Sequence, residues 1–160
     1  MEKNTNKTAD ARMEDGAGNL AVTLLAYNDM GAETELNHSL VQADRNTLGK
    51  ALALLYAMAV QERGKTATEK AARIVCNQLQ TSLDSLDKTL PHAEYQAKGL
   101  PLSFGRGLLL HLSTGETERY AELWDAINAR NDMSAVYAAS ILLGFASSVI
   151  NPSVVTADCE

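Results

Sequence analysis

Apolar positions in this chain gather into two long runs, Ala51 to Val60 and Ala135 to Ile150, set among segments where they recur every three or four residues. A helix that is apolar on all faces has to be covered on every side, so the runs predict two buried central helices, over 48–63 and 133–150. Amphipathic helices are predicted around them. Leu20, Leu24 and Tyr27 share one face of a helix over 19–30 that stops at Gly31. Leu36 and Leu40 give an inward stripe to the next, whose first turn carries Glu33 and Glu35 at the positive end of its dipole. That helix ends near Ala43, and Asp44 or Asn46 caps the first central helix.

Between the two runs lies a segment of different character. Thr66 and Glu69 form a capping box, and the helix they open carries Ala72, Cys76, Leu79, Leu83, Leu86 and Leu90 at alternating spacings of four and three. The stripe is a narrow heptad seam, and Pro91 ends the helix. Residues 92–99 read as a linker, and Pro101 as the first residue of a helix that runs through Leu108 to Leu112 and breaks at Gly115. Tyr120, Leu123, Trp124 and Ile127 line one face of the next helix, with Asn131 and Asp132 marking its end and the start of the last.

Each half has the same grammar: a helix, a glycine stop, an acidic triplet (Glu33-Thr34-Glu35 and Glu116-Thr117-Glu118), a short amphipathic helix and an apolar run. A true duplication and two similar helical hairpins both account for this, and both lead to the same fold. The prediction is an all-α compact bundle of about seven helices, with two similar three-helix units joined by a long heptad-patterned helix. Residues 1–16 are polar without an apolar period and read as a disordered leader. A single domain then covers 17–151: a first unit over 17–64, the connecting helix over 65–90 and a second unit over 100–151. Residues 152–160 read as a flexible tail.

Composition narrows the function classes. With 160 residues, 46% of them hydrophobic, the chain suffices for one domain with a core of its own. Its formal charge of −6 argues against nonspecific binding to nucleic acid or to anionic membranes. The two cysteines, Cys76 and Cys159, form no Cys-x-x-Cys pair, which fits a reducing compartment. The start of the sequence lacks the basic and apolar regions of a secretory signal, and neither apolar run reads as a bilayer span, so a cytoplasmic location is expected.

Catalytic chemistry is thinly represented. No Gly-x-Ser-x-Gly elbow is present, and Gly105-Arg106-Gly107 lacks the strand and the full glycine pattern of a phosphate loop; its glycines read as points of close helix approach. Glu35 and His38 make one Glu-x-x-His motif, but a di-metal bundle needs two, and the second half offers Glu118-Arg119-Tyr120-Ala121 instead. No metal or other cofactor is expected. His111, set among leucines, is expected to be a core or boundary residue, since a base would need a carboxylate beside it. Glu118, Glu122 and Asp125 read as a solvated face.

Binding has better candidates. Tyr120 and Trp124 are large aromatics one turn apart, able to anchor a partner or to pack inward, and the seam of Leu79, Leu83, Leu86 and Leu90 can face its own domain or another chain. The leading expectation is an intracellular protein-interaction module, regulatory or inhibitory, bound to another protein or to a second copy of itself. In general texture the chain is similar to small bacterial or phage accessory proteins, though no motif carries that likeness. The alternative is a small-molecule binder or enzyme with a pocket between the two units near His111 and Arg106. Nucleic-acid binding would require Arg63, Lys65, Lys70 and Arg73 to form a basic patch against the acidic total.

Overall fold

The structure, a computed structural model, describes residues 2–130 and 132–152, with side chains described from Gly16 onward. The described residues form seven helices and no strand: α1 (Glu2–Met30), α2 (Glu33–Gln42), α3 (Arg45–Arg63), α4 (Lys65–Thr89), α5 (His92–Ser113), α6 (Thr117–Asn128) and α7 (Ser134–Ile150). The all-α bundle expected from the apolar periodicity is the fold observed. Helix α1 takes in residues 2–16, where the polar composition suggested a leader; Glu, Lys, Ala and Arg are good helix formers even without an apolar period. The tail beyond Pro152 lies outside the described residues.

Two boundaries differ from the sequence reading. Residues 92–99 are not a linker, because α5 begins at His92 and continues through Pro101. Proline lacks the N–H that would bond the carbonyl of Ala97, which is why it reads as a start, but the helix continues across it, held by the close packing of Gly99 against Leu83 of α4 and of Gly105 against Ile141 of α7. The acidic triplets are also one residue out of register. The corners with matching backbone geometry are Gly31 (φ 70°) and Gly115 (φ 75°), where only glycine is at ease. After each, the same two bonds close the preceding helix: Gly31 N–H to Asn28 O and Ala32 N–H to Tyr27 O, then Gly115 N–H to Leu112 O and Glu116 N–H to His111 O.

From these corners a similar pattern of buried positions can be followed through both halves, with three residues more before the last helix. Leu24 and Leu25 of α1 pair with Leu108 and Leu109 of α5, and Leu40 of α2 with Trp124 of α6. Leu48, Gly49, Ala51, Leu52, Leu55 and Ala59 of α3 pair with Ala135, Val136, Ala138, Ala139, Leu142 and Ala146 of α7, and all twelve are buried. Helix α2 packs chiefly on α1 and reaches α7, and α6 packs chiefly on α5 and touches both α7 and α3. Helix α4 lies mainly along α5 and also touches α3 and α7.

The joints are hydrogen-bonded. Asp44 caps α3 by accepting from the Thr47 N–H (3.0 Å), which holds its carboxyl below the usual range, as the Ser134 N–H and then Arg130 do for Asp132 at the start of α7. Asp29 ties the end of α1 to α7, accepting from Ser147 Oγ (2.6 Å) and Asn151 Nδ2 (2.5 Å). No described helix is long and apolar enough to cross a membrane.

Candidate functional site

The residues singled out from the sequence hold the bundle together. Leu83 is buried, Leu79, Leu86 and Leu90 are half-buried, and Leu83 packs beside Gly99, so the heptad seam faces α5. Tyr120 and Trp124 are buried against α3. The Tyr120 hydroxyl donates to Gly49 O (2.6 Å), the Trp124 indole N–H donates to Arg45 O (2.9 Å), and the indole lies over Gly49. Desolvation drives the Tyr120 hydroxyl far above the ordinary phenol range. Their outer edges still floor a cleft of about 480 Å³ between α3 and α6.

The candidates for chemistry stay apart. Glu35 and His38 are exposed, and no cluster of three or more metal-ligating side chains occurs among the described residues. His111 Nδ1 is buried without a hydrogen-bond partner, and no carboxylate is seen to bond it. Gly105 and Gly107 do allow close approach, since an added Cβ would lie 2.6 Å from Ile141 Cδ1 and 2.8 Å from Leu123 Cδ2 respectively. Arg106 turns to α4, its Nε donating to Cys76 O (3.3 Å). Arg63, Lys65, Lys70 and Arg73 are exposed; Arg63 donates to Val149 O and Lys65 pairs loosely with Glu69.

What the central helices leave open is more informative. Neither run is covered on all sides. Helix α3 presents Lys50, Leu54 and Ala57 to solvent, and α7 presents Tyr137, Ser140 and Gly144. Each stripe mixes one large apolar side chain, Leu54 or Tyr137, with small or polar residues. Beside each stripe lies a groove. The first, about 810 Å³, runs between α1 (Ala17, Gly18, Asn19, Val22) and α3 (Lys50, Ala53, Leu54). The second, about 500 Å³, runs between α5 (Ala97, Lys98, Pro101, Leu102) and α7 (Tyr137, Ser140, Ile141). The internal repeat carries Ala17, Gly18, Lys50, Ala53 and Leu54 onto Pro101, Leu102, Tyr137, Ser140 and Ile141, so the grooves occupy equivalent places on the two units. Each has a mainly apolar lining with one charged residue, Lys50 or Lys98.

No protein-family model, curated protein or solved structure matches the chain. Function therefore has to be argued from these surfaces. The grooves are not legible in the sequence because Leu54, Tyr137 and Ile141 belong to apolar runs that read as buried, and the alanines, glycine and serine beside them carry no binding signal; Lys50, in the outward register of an apolar helix, is the available clue.

A smaller hollow, about 200 Å³, lies where α3, α4 and the end of α5 meet, lined by Tyr56, Lys65, Glu69, Ser113 and Thr114 among others. The Tyr56 hydroxyl is buried there without a partner, and desolvation followed by the nearby Glu69 raises its pKa. His111 is not part of the lining.

Proposed function

We propose that this protein is an interaction module, regulatory or inhibitory in effect, that docks a helical segment of a partner protein in the groove between α1 and α3. The observation that carries this reading is the uncovered side of α3, where Leu54 remains 38% exposed in a helix otherwise built for a core. Beside it Val22 is 58% exposed, and Ala17, Gly18 and Ala53 keep the trough smooth enough for side chains of an incoming helix to seat between two helices. Lys50 at the rim favours a carboxylate on the occupant.

The test is affinity capture from the native cell with wild-type protein and with Leu54→Glu, a change at a solvent-reaching position. The expected result is a partner that co-purifies with the wild type and is lost with the variant, and whose helical segment alone binds the wild type in titration. Equal capture by both proteins would remove the groove from the account.

The hollow at Tyr56 favours a second reading, a small polar ligand satisfying that hydroxyl. A metabolite that raises the Tm of the wild type but not of Tyr56→Phe would establish it in place of docking.

A further inference from the structure

The internal repeat assigns α4 no counterpart among the described helices. In the second unit, α4 runs along the flank of α5: Arg106 donates to Cys76 O, the Cys76 thiol contacts Arg106 O (3.8 Å), and Leu83 meets Gly99. The equivalent flank of α1 has Val22 in the place of Arg106, Gly18 in that of Leu102 and Ala26 in that of Leu110. Val22 and Ala26 are exposed there, whereas Arg106 and Leu110 are half-buried. Val22 lines the first groove, whereas Arg106, in the same place on α5, is turned to α4 and does not line the second.

We propose that the flank of α1 is a seat for one helix resembling α4, supplied by a partner protein and lying along Gly18, Val22 and Ala26. This rests on the docking reading above and specifies its occupant. The chemistry follows from what α4 offers its neighbours: Ala72 and Cys76, buried at four-residue spacing, form a slim stripe clustered with Leu109 of α5, Thr68 one turn earlier donates to Ala59 O of α3, and the other faces are largely polar. An occupant of the α1 seat needs the same slim stripe. It also needs an apolar residue to cover Val22, since α1 has no guanidinium to reach across to a carbonyl.

A synthetic peptide of Lys65–Thr89, kept reduced and carrying a nitroxide at its first residue, is the probe. Added to the full-length protein, it should broaden amide resonances of α1 near Gly18, Val22 or Ala26 and leave those of Gly99 and Arg106 sharp. Val22→Glu should weaken binding at least tenfold. Val22→Arg, which gives α1 the side chain α5 uses, should bind at least as tightly as the wild type, a rescue that no general loss of folding could mimic. Broadening on α5 alone would mean exchange with the resident α4 and would overturn the proposal. So would self-association of the free protein, lost in Val22→Glu, since the seat would then take a second copy. If the peptide fails while Leu54→Glu still abolishes capture of a native partner, docking stands and the α4-like seat does not.

Discussion

Gly49 is the most closely packed of the described glycines. A Cβ there would lie 2.5 Å from Trp124 Nε1 and 2.7 Å from its Cδ1, and the ring is fixed by its own bond to Arg45 O. Gly49→Ala should therefore destabilise the fold by about 1–3 kcal/mol, the usual cost of overpacking, read as a drop in chemical-denaturation midpoint. Gly144 is the contrast. It sits mid-helix with nothing within 4 Å of an added Cβ, so Gly144→Ala should stabilise by about 0.5–1 kcal/mol. Acid sensitivity also has a residue-level cause. The depressed carboxyl of Asp44 contributes stability above its unfolded value of 3.8, and that contribution is lost as pH falls through the folded pKa. Thermal melts should show Asp44→Ala below the wild type at pH 7, with the two converging below 3.8.

At the scale of elements, the paired glycine corners and Pro101 matter most. Gly31→Ala and Gly115→Ala should each cost about 1–2 kcal/mol, because both force a side chain into left-handed backbone, and equal losses in thermal melts would reflect their shared geometry. Pro101 stands where the first unit has Ala17, inside a continuous helix. Pro101→Ala should restore the Ala97 bond and stabilise by up to about 3 kcal/mol, with a small gain in helical circular dichroism. Leucine spacing, glycine stops and the Asp44 cap were legible from the chain because each acts within one or two turns. Continuation of α5 through Pro101 was not, because the residues that support it belong to α4 and α7.

The described helices form one all-α bundle in which α4 lies mainly along α5 and touches α3 and α7, while no helix lies along the outer flank of α1. That asymmetry separates a finished flank from an open one, and the grooves follow from it. The chain alone determined the helical class, the number of helices and the two central runs, since hydrophobic period and backbone stops are local properties that survive without coordinates. Only the tertiary structure decided which faces were used. Tyr120, Trp124 and the leucine seam have the composition of a binding surface, yet they are taken up by α3 and α5, while Val22, Leu54 and Tyr137, set among alanines, glycine and serine, are left at the open grooves. Burial is a property of what lies opposite a side chain, and the chain does not say which helix will be there.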